Sequence, residues 1–200
     1  MTPESRSALL VVDVQNDFCP GGSLAVTNGD QVVAPLNRAI DFFMYNIRPI
    51  FLSRDWHPRD TAHFAEFGGK WPVHCVAKTH GAEFHPKLRK TNAYIIVSKG
   101  ESDQDDGYSP FEGNIENYLQ PFNTSLDEEL KNGSVTVLYI GGLATDYCVK
   151  AACLDARKLG YIVYLLTDAC RAVNLKPTDE TDALEEMRRA GVIFTTTDEI

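Results

Sequence analysis

The chain has 200 residues, of which 44% are hydrophobic and 24% charged, and its formal net charge is −9 at pH 7. These values are typical of a soluble globular protein, and we expect residues 1–200 to form a single domain. The acidic charge argues against nucleic acid or an anionic membrane as a partner. Because no apolar run has membrane-spanning length and the start lacks a signal-peptide pattern, we expect a cytoplasmic protein.

Six short apolar segments are predicted to be β-strands. Most are apolar throughout rather than alternating, which is typical of parallel strands covered on both faces. They are residues 7–14, 48–55, 93–99, 134–142, 161–169 and 191–196. Helical patterns cover residues 29–46, 145–160 and 178–191. This alternation predicts a doubly wound α/β fold with a mostly parallel six-stranded sheet and helices on both faces, similar to a Rossmann fold.

Two segments do not follow this alternation. Residues 56–92 are rich in His, Pro, Gly and aromatic residues, and residues 100–122 are acidic and rich in turn-forming residues. Long irregular segments in a compact domain are often functional. In an open α/β sheet, ligands bind beyond the carboxyl ends of the strands, so the residues at those ends are the first candidates for a site.

Four reactive side chains stand at such strand ends. Asp13, Asp55 and Lys99 end the first three predicted strands, and Cys148 follows the fourth within one turn. A free cysteine is more often inert packing than a nucleophile, and a carboxylate at a strand end often only caps a turn. The coincidence of four such groups at one edge of the sheet favours a catalytic site.

The chemistry that these groups could perform together is acyl transfer. With Thr145 interpreted as the N-cap, Cys148 falls in the first helical turn, where the helix dipole and Lys99 would favour a thiolate. Asp13 could accept the thiol proton and return it to a leaving amine. Backbone N–H groups around Ala144 and Cys148 could hold an oxyanion. The simplest such reaction is hydrolysis of an amide.

The other cysteines do not suggest a second reactive site. The five cysteines are an odd number with no C-x-x-C pair, which suits neither a disulfide framework nor a four-cysteine zinc site. We expect reduced thiols. Cys153 and Cys170 are predicted to be packing residues, and Cys19 and Cys75 to be structural.

The first irregular segment has the residue types of a metal site. Asp55 and His57 are two residues apart and would point to the same side of an extended chain, and His63 and His74 follow in the same segment. One carboxylate with imidazoles suits zinc, manganese or iron, with coordination positions left open. The alternative is a surface loop with scattered histidines.

Six motifs carry a family resemblance across residues 9 to 170. They are, in order, VVDVQNDFCPGGSLAV, SRDWHP, WPVHCV, SKG, DGYSPFEG and GGLATDYCV. This set resembles the nicotinamidases of the isochorismatase-like cysteine hydrolase family. The resemblance implies an isochorismatase-like fold and hydrolysis of nicotinamide to nicotinate and ammonia through a cysteine thioester, which feeds NAD salvage.

The resemblance also implies roles for individual residues. The catalytic triad would be Asp13, Lys99 and Cys148. One divalent metal per chain, zinc in preference to manganese or iron, would be held by Asp55, His57 and His74 with waters, and would contact the ring nitrogen of the substrate. His63 matches a further ligand in some members only, so its role is left open. Phe18 and Trp71 would sandwich the pyridine ring, and the Leu143–Ala144 peptide would be cis and help to aim the oxyanion donors.

Two other interpretations stay open. The first is a related hydrolase, either an amidohydrolase of carbamoyl or ureido compounds or an isochorismatase, although an isochorismatase needs no thiol and Cys148 argues against it. The second is a catalytically silent binding protein with a structural metal. A structural zinc is normally closed by four protein ligands, whereas the predicted set leaves positions open. Self-association of the chain is also left open.

Overall fold

The computed structural model describes residues 6–102, 107–115 and 124–200. Within these residues the strands are β1 (Ser7–Val12), β2 (Ile50–Asp55), β3 (Tyr94–Lys99), β4 (Asn114–Ile115), β5 (Val137–Leu143), β6 (Ile162–Arg171) and β7 (Ile193–Thr195). They form one sheet in the order β4-β3-β2-β1-β5-β6-β7. Every neighbouring pair is parallel except β3 and β4. The predicted mostly parallel α/β fold is confirmed.

The sheet has one strand more than predicted. The additional strand, β4, is a two-residue antiparallel edge strand that pairs Ile115 with Val97 and Asn114 with Ser98. It lies in the segment 100–122 that was predicted to be irregular, and two residues are too few to show a periodic pattern. Residues 103–106 and 116–122 of that segment lie outside the described residues.

The described helices are α1 (Val33–Tyr45), α2 (Leu126–Asn132), α3 (Lys150–Lys158) and α4 (Asp179–Arg189). Helix α2 was not predicted, and it begins at a capping box in which Ser125 and Glu128 satisfy each other's backbone N–H groups. The predicted helix at 145–160 starts as a π-helical turn, Thr145–Val149, before α3. No helix in these described ranges is both long and apolar enough to span a membrane.

The core consists of two apolar layers, one on each face of the sheet. Along β1, Leu10 and Val12 belong to the layer that contains α3, whereas Leu9 and Val11 belong to the layer that contains α1. Successive side chains of a strand point to opposite faces, and both faces of β1 are fully buried. Burying each of these leucine or valine side chains contributes about 1.5–3 kcal/mol. This two-sided burial explains the uninterrupted apolar pattern of the strand.

The register of the central strands positions the site. In the parallel ladders Val12 pairs with Ser53, and Asp55 pairs with Lys99. Asp13 follows Val12 directly, so Asp13, Asp55 and Lys99 leave the sheet at the same edge. All five cysteines are buried and free, so no disulfide contributes to this arrangement.

Candidate active site

A buried lysine forms the centre of the site. The Nζ atom of Lys99 lies 2.8 Å from Oδ2 of Asp13 and 3.6 Å from Sγ of Cys148. It also contacts a carboxylate oxygen of Asp55 and donates to the carbonyl oxygen of Gly107. The side chains of Lys99 and Asp13 are completely buried. The fold thus brings together all four strand-end residues.

Asp13 occupies a sharp turn at the end of β1. Its φ of 50° lies in the left-handed region, which aspartate tolerates better than most residues. Oδ1 accepts a 2.6 Å hydrogen bond from the hydroxyl of Ser53. Burial raises the pKa of the Asp13 carboxyl; the Lys99 ammonium opposes this rise and the Asp55 carboxylate adds to it. A carboxyl with a raised pKa accepts a proton more readily than an ordinary aspartate, which suits a group that must take up and release protons during catalysis.

Asp55 and Lys99 remain charged in spite of their burial. Burial disfavours the Asp55 carboxylate, but the Lys99 ammonium together with His57 and His74 outweighs this effect, and the pKa of Asp55 is held well below its usual value. Burial likewise disfavours the Lys99 ammonium, but the carboxylates of Asp13 and Asp55 raise the pKa of Lys99 well above its usual value. A permanent cation therefore lies between two acidic side chains and a thiol.

The thiol of Cys148 differs from expectation in two respects. The N-cap position is occupied by Ala144, not Thr145, and no side chain caps the π-helical turn that carries Cys148. The pKa of Cys148 is raised well above its ordinary value, not lowered. Burial is the main cause; Asp13 and Asp55 add to it, and Lys99 opposes it only in part. The sulfur therefore keeps its proton until a neighbouring base removes it.

A carboxylate and two imidazoles face one another beside this centre. Oδ2 of Asp55 lies 3.5 Å from Nε2 of His57 and 3.7 Å from Nε2 of His74. Nδ1 of His57 faces the carbonyl oxygen of Gly100 at 3.0 Å, and Nδ1 of His74 faces that of Pro72 at 2.7 Å. Because a carbonyl oxygen only accepts, each Nδ1 carries a proton, and in the neutral imidazole each Nε2 then has its lone pair on the side that faces Asp55.

This arrangement fits a divalent metal. Lone pairs of two Nε2 atoms converge on a carboxylate oxygen, and Nε2 of His57 is buried without a hydrogen-bond partner among the described residues. His63 adds a third imidazole, since one ring nitrogen from each of His57, His63 and His74 lies within 4.8 Å of the other two. Burial and the two neighbouring histidines lower the pKa of His63 to about 4, so it is neutral and able to ligate. Imidazoles with a carboxylate are a common donor set for zinc.

A pocket lies against Cys148. Its walls include the three predicted substrate-binding residues Phe18, Trp71 and Ala144. The Leu143–Ala144 peptide bond is cis. His74 and Asp55 also line the pocket, so a ligand inside it would face both the thiol and the candidate metal site. An aromatic and apolar wall with a few polar groups at one side is the usual lining of a site for a small aromatic ligand.

Residues 7–199 match the family model described as the isochorismatase domain. The chain belongs to the isochorismatase family. The nicotinamidase of Escherichia coli (strain K12) is 41% identical over 204 residues, covering 94% of each chain. The nicotinamidase/pyrazinamidase of Mycobacterium tuberculosis is 38% identical, covering 92% of this chain and 96% of that protein.

The fold of this isochorismatase-family chain is similar to that of a solved relative. The pyrazinamidase of Pyrococcus horikoshii in complex with zinc superposes with a TM-score of 0.86 at 41% identity. The match covers 96% of this chain and 99% of that one. Together with the nicotinamidase relatives, this confirms the family resemblance predicted from the motifs.

Gln15 supports the site of this isochorismatase-family chain, and the sequence interpretation missed it. The fully buried side-chain amide donates to the carbonyl oxygen of Asp55 at 2.8 Å and accepts from the backbone N–H of Asp55 at 2.8 Å. It also donates to the carbonyl oxygen of Ala82 at 2.9 Å. Gln15 could have been identified from the sequence, because it is a polar residue that directly follows the predicted apolar strand 7–14 and lies two positions after Asp13.

Gly100 is a second residue that the site requires. Its φ of +67° lies in the left-handed region, and its carbonyl oxygen faces Nδ1 of His57. A Cβ atom at this position would lie 2.4 Å from Cε1 of His57. Tyr108 and Tyr147 also line the pocket; neither was predicted individually, although Tyr108 lies in the DGYSPFEG motif. Tyr147 could have been identified from its position directly before Cys148.

Proposed function

We propose that this chain is a nicotinamidase that hydrolyses nicotinamide to nicotinate and ammonia through a thioester on Cys148. The observation that carries the proposal is a buried thiol, 3.6 Å from a buried ammonium, on the wall of a pocket that also contains a candidate metal site. The 41% identity to a nicotinamidase over 94% of both chains supports the same substrate.

In the first half of the reaction, Sγ of Cys148 attacks the carboxamide carbon. Asp13 accepts the thiol proton as the carbon–sulfur bond forms, and its raised pKa supports this role. The carbon–nitrogen bond then breaks, and Asp13 passes the proton to the leaving nitrogen, which departs as ammonia. Lys99 stays charged throughout and offsets negative charge on Asp13 and on the sulfur.

In the second half, a water molecule attacks the carbonyl carbon of the thioester. Asp13 removes a proton from this water and returns it to the sulfur as the carbon–sulfur bond breaks. Nicotinate leaves and the thiol of Cys148 is restored. Backbone N–H groups of Ala144 and Cys148 hold the oxyanion in both halves, and Phe18 and Trp71 sandwich the pyridine ring.

We assign one divalent metal ion per chain, zinc in preference to manganese or iron, to Asp55, His57 and His74. His63 is close enough to these histidines to be a further ligand. When bound, the metal supplies a Lewis-acid contact for the ring nitrogen, which orients the carboxamide towards Cys148. The zinc complex of the related pyrazinamidase supports this assignment.

The remaining features of the proposal concern the whole chain. We infer that residues 1–200 act as a single domain in the cytoplasm on a small-molecule substrate, as part of NAD salvage. The net charge of −9 supports the inference that neither nucleic acid nor a membrane is a partner.

The experiment that tests the proposal is a measurement of ammonia released from nicotinamide by the purified protein and two cysteine variants. Wild type and Cys153→Ala should release ammonia steadily, and Cys148→Ala should release none. Cys153 is the matched control because it is a buried free cysteine of α3 that does not line the pocket. Turnover of a carbamoyl or ureido amide in place of nicotinamide would show that nicotinamide is not the substrate, whereas the proposed cysteine chemistry would stand. Tight binding of nicotinamide without turnover of any amide would favour a binding protein.

A further inference from the structure

We propose that Lys70 is a positioning residue that holds together the aromatic wall of the pocket. This wall is defined as Trp71, Tyr108 and Tyr147, which all line the pocket. The kinetic part of the inference rests on the proposed function, whereas the placement of the rings does not.

The aromatic wall is assembled from three separate segments of the chain. Trp71 lies between β2 and β3, Tyr108 lies between β3 and β4, and Tyr147 lies in the π-helical turn next to Cys148. Nε1 of Trp71 donates a 2.9 Å hydrogen bond to the hydroxyl of Tyr108. The ring centroids are 5.0 Å apart for Trp71 and Tyr147, and 5.9 Å apart for Tyr108 and Tyr147.

Lys70 contacts all three rings. Its Nζ atom lies 4.7 Å from the centroid of the Trp71 ring, 5.0 Å from that of Tyr147 and 5.8 Å from that of Tyr108. An ammonium within about 6 Å of an aromatic ring is attracted by the electrons of the ring face. Within the part of the chain that the structure describes, the recorded partners of the Lys70 ammonium are these three neutral rings, and no carboxylate forms an ion pair with it.

The position of Lys70 determines how it can act. Its side chain is exposed and lies outside the described lining of the pocket, so it does not touch a bound ligand. It acts through the rings that do. Removing the ammonium would leave Trp71 and Tyr147 with only ring contacts between them, and the wall beside Cys148 would lose a cation shared by three segments.

The expected consequence is weaker substrate binding with unchanged chemistry. Lys99, Asp13 and Cys148 are held by the buried centre, not by Lys70, so kcat should be preserved. A misplaced wall lowers ground-state and transition-state binding alike, which raises KM alone. Lys70→Met, which keeps the length of the side chain and removes its charge, should raise KM for nicotinamide about three- to tenfold.

Two variants separate a cation effect from loss of structure or of net charge. Lys70→Arg retains a cation that stacks on aromatic rings and should keep KM within about twofold of wild type. Lys90→Met makes the same charge change at another exposed lysine and should leave KM unchanged. A fall in kcat with Lys70→Met, or an equal rise in KM with Lys90→Met, would overturn the inference.

A measurement without substrate tests the placement of the rings. The chain has two tryptophans, so in a Trp56→Phe background the tryptophan fluorescence, excited at a wavelength that tyrosine does not absorb, comes from Trp71 alone. Lys70→Met should increase quenching of this fluorescence by acrylamide, and Lys70→Arg should not. Unchanged quenching would contradict the inference. If the protein hydrolyses no nicotinamide but Lys70→Met still increases the quenching of Trp71, the role of Lys70 in the aromatic wall is supported and the proposed function is not.

Discussion

Replacing Lys99 with methionine should cost the protein a large part of its stability. Lys99 is 1% exposed, and its ammonium contacts the buried carboxylates of both Asp13 and Asp55. Methionine fills a similar volume but leaves these carboxylates without their countercharge. Breaking a buried ion pair by removing one partner costs about 3–5 kcal/mol. Domains have unfolding free energies of about 5–15 kcal/mol, so the variant should still fold.

The assay is urea unfolding of the metal-stripped protein, followed by circular dichroism and fitted with a shared m value. Lys158→Met is the matched control, because Lys158 pairs with Asp155 at 2.9 Å on the surface and its loss should hardly change the free energy of unfolding. Adding Asp13→Asn to Lys99→Met removes one of the two buried carboxylates that have lost their countercharge. The double variant should therefore be more stable than the sum of the single effects predicts.

The stability loss should depend on pH in a defined direction. The pKa of Asp13 is already raised above the model-compound value of 3.8, and removing Lys99 removes the main group that lowers it. The folded variant then binds this proton more tightly than the unfolded chain does. The contribution of this carboxyl to the stability of the variant is greatest below its unfolded pKa and is lost as the pH rises through its folded pKa. A loss below about 1 kcal/mol at pH 7, or a deficit that does not shrink towards pH 5, would refute the reasoning.

Three further predictions follow from the site. Gln15→Leu removes three buried hydrogen bonds, so it should lower the free energy of unfolding, measured in urea, by about 2–4 kcal/mol. The same variant should bind zinc about 10- to 100-fold more weakly in a competition assay. Zinc should raise the thermal midpoint of chelator-treated wild type and His80→Ala but not of His57→Ala, and an equal rise in all three would contradict the site. Iodoacetamide should alkylate Cys148 before Cys153, and nicotinamide should protect Cys148; peptide mapping that shows no protection would argue against ligand binding at the pocket.

The arrangement of the strand ends could be predicted from the sequence, but the small elements could not. Parallel strands share one carboxyl edge, so Asp13, Asp55 and Lys99 had to meet once their strands were identified. The two-residue strand β4 carries no periodicity and depends on pairing with β3. Helix α2 is short, although its capping box of Ser125 and Glu128 was visible in the sequence.

The composition of the site was predictable in part. Motifs supplied the candidate residues, but the direction of the pKa shift at Cys148 depends on its three-dimensional surroundings. The sequence indicates that Lys99 is near, and it does not show that burial and two carboxylates outweigh this cation. The contacts of Gln15 and of Lys70 are also tertiary, since each joins segments that are far apart in the chain.

The central claim is that the acyl group of nicotinamide is transferred to Cys148. Hydroxylamine, added during turnover, would intercept a thioester and divert the product from nicotinate to the hydroxamate. The account predicts that hydroxamate forms at the expense of nicotinate, that ammonia release does not slow, and that Cys148→Ala yields neither product. Formation of nicotinate without any hydroxamate, or of either product by Cys148→Ala, would contradict it.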